Sequence, residues 1–346
     1  MLNQISYKKF SLNTHLDNLR SGRPNSCQLE LTYGCGLRCV HCYVASYNRP
    51  ESIARELSTA KVKKIIDELR NAGVLWVCFT GGDPLTRKDF CELYTYAREK
   101  GFLITIFTNG YSLRQEHIEL FRRQPPFIIE ITLNAVDKGL YEKISGVKGS
   151  FKKVMASIGA LRRHKIPLKI KAMVTKLNSQ HIGKIKKYAL VNDLPLALDD
   201  FLHAGLGLSP RPLEFRLPPE YFSLRTKRKG NSCPVIPKER KAVRNALFPC
   251  VAAGGDGFQI GPYGHISACC LIRRPDLNVL KNGVGPAVKK MVEYFRNLDF
   301  TTDSKCKTCA RRDECGWCPG KAWVETGSLE KPLDYCCAIA KANDNQ

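Results

Sequence analysis

The chain has 346 residues and a formal net charge of +23, from 55 Lys and Arg against 32 Asp and Glu. That length fits one large domain and one small one, and no run approaches the roughly 18 apolar residues of a membrane span, so no membrane partner is expected. Residues 1–20 are polar and basic without an apolar core segment, which argues against a secretory signal and makes a cytoplasmic protein the default.

From about residue 26 to 201, strand-like and helix-like patterns alternate. The strand candidates are 27–32, 75–80, 102–108, 127–133, 168–174 and 194–200. Helix candidates lie between them, near 58–72, 87–100, 113–122, 150–164 and 180–190. Gly73, Gly101 and Pro167 punctuate the helix-to-strand turns. Six βα units predict an α/β fold with a parallel, partly closed barrel, whose working face lies at the C-terminal ends of its strands. The expected organisation is an extension over 1–25, a barrel core over 26–204, a Pro-, Gly- and charge-rich bridge over 205–249, and a cysteine-dense second domain over 250–346.

The 16 cysteines are clustered. In a chain without an export signal, that points to metal rather than to a disulfide framework. Cys35, Cys39 and Cys42 form a C-x3-C-x2-C run directly after the first strand. Such spacing lets three thiolates in one loop face one iron–sulfur cube. A four-iron cluster takes four ligands, so one iron is left open to a small molecule, whereas a structural zinc site closes its shell with four.

This run resembles the radical S-adenosylmethionine (SAM) enzymes, in which the open iron is chelated by the amino and carboxylate groups of SAM. The resemblance continues in Gly81-Gly82-Asp83-Pro84, which follows the second strand where that family usually has Gly-Gly-Glu-Pro and holds the SAM amino group. Two glycines let backbone approach a ligand closely. Asp83 is one methylene shorter than the family's acid, which favours a backbone role over a side-chain role. The resemblance also implies that His41 lies near the adenine of SAM, and that Thr132 and Asn134, at the end of the fourth strand, contact SAM. Local packing of His41, and ordinary strand packing of Thr132 and Asn134, are the alternatives.

Thr108, Lys171 and Asp200 lie at or near barrel strand ends and are the substrate-side candidates, with His203 a weaker one. Lys171 could equally face solvent. Cys27, Cys78 and Cys91 fall within strand or helix patterns and read as small buried hydrophobes.

A second cysteine system follows. Cys250 is separated by 13 residues from Gly264, which is separated by four from Cys269; then come Cys306-x2-Cys309-x5-Cys315-x2-Cys318 and Cys336-Cys337. This resembles the SPASM domain, which carries two auxiliary [4Fe-4S] clusters; it departs in the gap before Cys318, two residues where three is usual. The resemblance implies an outer cluster on Cys306, Cys309, Cys315 and Cys337, with Cys336 a rival for the last place. The inner cluster would use Cys250, Cys269 and Cys318, with its fourth ligand unassigned between Cys270, Cys233 and an open iron. A zinc ribbon at Cys306–Cys318 is the alternative reading. Some sulfatase-maturing relatives place an aspartate base just after the second SPASM cysteine, where this chain has Cys270 and Leu271.

By resemblance, then, the chain is a radical SAM/SPASM oxidoreductase. It is expected to cleave SAM reductively to a 5′-deoxyadenosyl radical and to abstract hydrogen from a peptide or protein side chain, forming a crosslink or thioether. The electron donor would be a ferredoxin or flavodoxin. Residues 141–190 carry 13 Lys and Arg against the single acid Glu142, and residues 211–245 carry 10 against three acids. Such a face suits an acidic leader peptide, and a solvated helix surface is the plainer reading. About 26 residues precede the first strand, too few for a peptide-recognition domain, so a separate leader-binding protein is expected. The alternatives are a radical SAM enzyme acting on a small cofactor precursor or tRNA, and a non-enzymatic zinc or iron–sulfur protein. Basic charge keeps nucleic acid open, but no RNA-binding module is recognisable.

Overall fold

Alternation along each strand builds a parallel sheet from β1 (Ser26–Thr32), β2 (Trp76–Gly81), β3 (Leu103–Thr108), β4 (Ile128–Thr132), β5 (Leu168–Met173) and β6 (Leu196–Asp199). The computed structural model describes residues 6–223, 246–248, 250, 254–312 and 315–342. Leu29, Leu31, Val77, Phe79, Ile104, Ile106, Ile129, Ile131 and Ile170 are all buried and share one face of the sheet. The alternate positions, from Glu30 through Thr80, Phe107 and Glu130 to Lys169, share the other face, which lines the barrel lumen.

Helices cover the apolar face. In Thr59–Asn71 the buried residues are Val62, Ile65, Ile66 and Leu69, a single stripe at helical spacing. Each such side chain contributes about 1.5–3 kcal/mol by leaving water. Phe90–Glu99, Gln115–Arg123, Ser150–Arg163 and Ile182–Val191 repeat the arrangement. Strand and helix limits agree with the sequence expectation to within a few residues. Two helices escaped it: Tyr7–Ser21, capped by Ser6 accepting from the Lys9 amide, and Lys138–Ser145, capped by Asp137. The first has a mixed polar surface with no clean apolar stripe. It is tied down instead by Tyr7, whose hydroxyl accepts from Trp76 Nε1 at 3.0 Å, and by His15, which stacks on Trp76 and pairs with Asp256 at 2.8 Å.

The sheet continues beyond the expected barrel boundary. β7 (Gly257–Ile260) pairs in parallel with the outer edge of β1, and β8 (Ile266–Ser267) pairs antiparallel with β7. The order is β6-β5-β4-β3-β2-β1-β7-β8, an open sheet of eight strands. Val284–Arg296 packs its apolar stripe against Thr59–Asn71. After β6, residues 205–217 are pinned from both sides: Leu206 N donates to Tyr43 O, Lys176 N to Phe215 O, and Tyr335 Oη to Leu217 O. Arg216 forms a buried ion pair with Glu325 and lies over the Tyr335 ring at 4.2 Å. Cys233 lies outside the described residues. Among those described, no helix is long and apolar enough to cross a membrane.

Candidate active site

The loop of Cys35, Cys39 and Cys42 leaves the C-terminal end of β1 and is held from three directions. Asn48 brackets Cys35: its Oδ1 accepts from the Cys35 amide and its Nδ2 donates to the Cys35 carbonyl, each at 3.1 Å. Arg38 and Val40 amides donate to the carbonyls of Ser145 and Ile144 at the end of the helix Lys138–Ser145. From below, the Gly-Gly-Asp-Pro turn clasps the start of the loop, with Gly82 N on Thr32 O at 2.7 Å and Asp83 N on Gly34 O at 2.9 Å. A Cβ on Gly82 would meet Tyr33 O at 2.4 Å and Gly34 O at 2.5 Å, and Gly81 has φ +128. Both glycines are therefore required by backbone packing as well as by conformation.

The Asp83 carboxylate faces away from the loop. It is fully buried and accepts from Thr108 Oγ1 at 2.9 and 3.0 Å, Asn109 N at 3.0 Å and Leu85 N at 3.0 Å. Burial outweighs these donors and pushes its carboxyl up to about 6. One expectation changes here, that for Thr108. Asp83 is a tie between β2 and β3 by its side chain, leaving the backbone as its contribution to a ligand. Thr108 faces Asp83 rather than the lumen, because it shares the face of Ile104 and Ile106. Asn134 is likewise engaged, its Oδ1 accepting from Met173 N at 2.9 Å, and its side chain locks β4 to the end of β5. Asp200 is buried at the end of β6, at 2% exposure, and so does not stand open to the lumen.

Lys171 and Thr132 do lie on the lumen face, in direct register across β4 and β5. Lys171 Nζ sits 3.4 Å from the Phe107 ring centroid and 3.4 Å from Glu130 Oε2. Cys78 shares this face and is half-buried rather than enclosed, as is Cys91 on its helix; Cys27 is buried as expected. Sequence reasoning missed Asn48, Arg273 and the side chain of Asn109. Asn109 Nδ2 donates to Cys35 Sγ at 3.3 Å. Arg273, from the loop after β8, reaches into the barrel to pair with buried Glu30 at 2.9 Å.

All described cysteines are free thiols. Gly264, which the SPASM resemblance marked, forms the β7–β8 turn with φ +83. Burial pushes the Cys269 thiol up and the nearby Cys318 sulfur adds to this, while Cys318 Sγ accepts from Lys321 N at 3.4 Å. Cys306 feels Cys315, Cys337 and Cys309, and Cys315 feels Cys309 and Cys337. Cys336, one residue from Cys337, is buried at 1% exposure against the helix interior. Among the described residues, the ligand atoms of Cys91, Glu116 and His117 come close enough together for a single ion. There, both ring nitrogens of His117 face Arg114, Nδ1 accepting from its amide at 3.1 Å and Nε2 lying 3.3 Å from its guanidinium, and that positive charge opposes a bound cation.

The Radical SAM superfamily profile matches residues 29–189, the segment that carries the cysteine loop and the glycine turn. Residues 29–189 carry a radical SAM domain. AdoMet-dependent heme synthase of Methanosarcina barkeri is 26% identical over 353 residues, covering 90% of this chain and 96% of that protein. PqqA peptide cyclase of Gluconobacter oxydans is 25% identical over 338 residues, covering 93% and 92%. Among solved structures, SuiB of Streptococcus suis bound to S-adenosylmethionine superposes with a TM-score of 0.68 at 18% identity, covering 97% of this chain and 84% of that one. SuiB has also been solved bound to the precursor peptide SuiA.

Radical SAM enzymes use SAM and a [4Fe-4S] cluster, and the donor set of this chain fits both. Burial pushes the three thiols up, Cys35 to about 12, and neighbouring cysteines of the loop add to the rise at Cys35 and Cys39. Three crowded thiols that resist ionisation on their own form a site that a cationic iron core would stabilise. Cys35 Sγ accepts two N–H groups, from Leu37 N at 3.4 Å and from Asn109, the second-shell pattern that supports a ligating sulfur. His41, between two of the cysteines, has a buried Nδ1 without a hydrogen-bond partner. Burial pushes that ring down to about 4, leaving a neutral aromatic face for a heterocycle.

Proposed function

We propose that this radical SAM enzyme is an oxidoreductase that modifies a peptide or protein side chain by hydrogen abstraction in the barrel lumen. The observation that carries this reading is the three-cysteine loop clasped by Gly81 and Gly82 at the mouth of an open barrel whose lumen is polar and partly exposed. Likeness to PqqA peptide cyclase, and to the fold of SuiB, supports the substrate class. When bound, the cluster and SAM supply one-electron cleavage of a carbon–sulfur bond and hydrogen abstraction from an unactivated carbon. Cys35, Cys39 and Cys42 hold the iron, and Asn109 and Leu37 moderate the charge on Cys35. The Gly81–Pro84 backbone and Thr132 would border SAM, and His41 would offer its ring to the adenine. Lumen residues orient the target C–H bond and exclude water, since a misplaced radical would react elsewhere.

The second cysteine system would hold two auxiliary clusters, one on Cys306, Cys309, Cys315 and Cys337, the other on Cys250, Cys269 and Cys318. Their role would be to take an electron from the oxidised substrate or to help bind it. A ferredoxin or flavodoxin would be the reductant, a separate protein would present the leader peptide, and the setting would be the cytoplasm.

The test is anaerobic reconstitution with iron and sulfide counting, then assay of 5′-deoxyadenosine. Wild type should hold about 12 iron and a Cys35/Cys39/Cys42 triple-alanine variant about 8, with turnover only in wild type. Bound zinc, or a full cluster load without SAM cleavage, would overturn the reading. The heme synthase and peptide cyclase relatives cover both chains about equally, so a small cofactor precursor stays the alternative class. A small cofactor precursor that stimulates 5′-deoxyadenosine formation where peptides do not would select that class.

A further inference from the structure

A group of charges on the lumen wall is left unused by the cysteine loop and by the glycine turn. Glu130 on β4 and Lys169 on β5 are direct register partners, and Lys171 stands one lumen position closer to the rim. Lys169 Nζ donates to Glu130 Oε1 at 3.0 Å, and Lys171 Nζ lies 3.4 Å from Oε2. The three side chains keep 29%, 33% and 13% exposure for Lys169, Lys171 and Glu130, so a ligand in the lumen could reach them.

The charge here does not balance. Two ammonium groups share one carboxylate, whereas the other lumen pair, Arg273 with Glu30, is matched one to one. Cys78, on the same face, is kept as a neutral thiol by burial and adds no anion. At this point of the wall the two ammonium groups outnumber their adjacent carboxylate by one; Asp199, the lumen-face carboxylate on β6, stands in register with Met173 and accepts from the Phe201 amide. A structural tie between β4 and β5 would need a single lysine. Lys171 is moreover held over the Phe107 ring, a contact that fixes an ammonium in place without neutralising it.

We infer that Lys169 and Lys171 form a docking point for an anionic group of the substrate, a carboxylate or a phosphate, with Glu130 as the internal counter-ion that the group displaces or joins. This deepens the proposed function and rests on it for the identity of the substrate. Lys169 and Lys171 are positioning residues: by anchoring the anion they fix which carbon of the substrate faces the rim.

The experiment uses reconstituted holoprotein with SAM, titrated calorimetrically with glutarate, inorganic phosphate and the neutral glutaramide. At least one anion should bind and glutaramide should not; preference for glutarate assigns a carboxylate, preference for phosphate a phosphoryl group. Lys171→Gln should weaken binding about 10-fold and Lys171→Arg should retain it, while Glu130→Gln should tighten it about 10-fold by removing the competing carboxylate. A merely structural triad would not gain affinity from Glu130→Gln. Failure of both anions to bind wild type, indifference to Lys171→Gln, or no gain in Glu130→Gln would each overturn the inference. SAM cleavage without added substrate is measured on the same samples. Loss of cleavage with anion binding intact would count against the proposed function alone.

Discussion

The Asn109 side chain joins the end of β3 to the cysteine loop: its Nδ2 donates to Cys35 Sγ at 3.3 Å, while its Oδ1 accepts from Tyr111 N at 2.8 Å. The amide is thereby fixed with its N–H toward sulfur. A hydrogen bond to a ligating thiolate favours the more negative, reduced state of the iron it binds.

Asn109→Ala should therefore lower the reduction potential of the cluster on Cys35, Cys39 and Cys42, by tens of millivolts if the lost hydrogen bond is worth about 1 kcal/mol. Redox titration followed by electron paramagnetic resonance checks this. An unchanged or raised potential would show that the amide does not act on the cluster.

Gly82→Ala should be far more damaging than an ordinary surface substitution. The new methyl would meet two carbonyl oxygens, Tyr33 O and Gly34 O, inside normal contact distance, and neither belongs to a flexible side chain. Overpacking of this kind costs about 1–3 kcal/mol, and here it pushes directly on the cysteine loop. Denaturant unfolding of the apoprotein and iron content after reconstitution should both fall. Full iron with wild-type stability would mean that the clasp has slack.

How legible the site was depended on whether a residue's task is local. Gly81, Gly82 and Gly264 could be read from motif resemblance because their turns need close approach or positive φ. Lys171 was readable as a lumen residue because it alternates with Leu168, Ile170 and Ala172, which are buried. The same parity places Thr108 with Ile104 and Ile106, away from the lumen, and would have corrected that expectation had it been applied along the whole strand. Asn48, Asn109 and Arg273 carry no such signal. Each acts on a partner brought near only by tertiary folding, and an isolated Asn or Arg in a loop looks the same whether it is solvated or engaged.

Asp83 should make the apoprotein's stability depend on pH with a definite sign. Its carboxyl is raised by burial to about 6, above the roughly 3.9 of an unfolded aspartate. Its contribution is present in full below the unfolded value and is lost as pH rises through about 6, by about 3 kcal/mol at most. Unfolding free energies of wild type and Asp83→Asn between pH 4 and 7 should separate as pH rises, the wild type falling relative to the variant, because the amide carries no charge to bury. Parallel curves would show that the three donors around Asp83 already offset its desolvation.

Glu330 has the opposite sign. It accepts from the amides and hydroxyls of Thr301 and Thr302, at 2.7–3.0 Å, and these donors hold its carboxyl down to about 2. Its stabilisation is present above the unfolded glutamate value, roughly 4.3, and is lost as pH falls through about 2. The clamped segment runs into Ser304, whose Oγ accepts from the Cys306 amide at 3.3 Å. Glu330→Ala should thus loosen the loop that presents Cys306 and cost on the order of four iron per chain, with the iron on Cys35, Cys39 and Cys42 retained. Iron counts equal to wild type would separate this clamp from cluster assembly.

The pairing of β7 with β1 has a consequence for the order in which the chain can be completed. Residue 26 finds its outer partner only at residue 257, so during synthesis the six barrel strands emerge with one face of β1 still unpaired. Such an edge is a template for pairing with other chains. A protein truncated before residue 257 should therefore be prone to self-association even with its barrel sequence intact. In the full-length chain, the cysteine-rich region shields the strand that leads into the first cysteine loop.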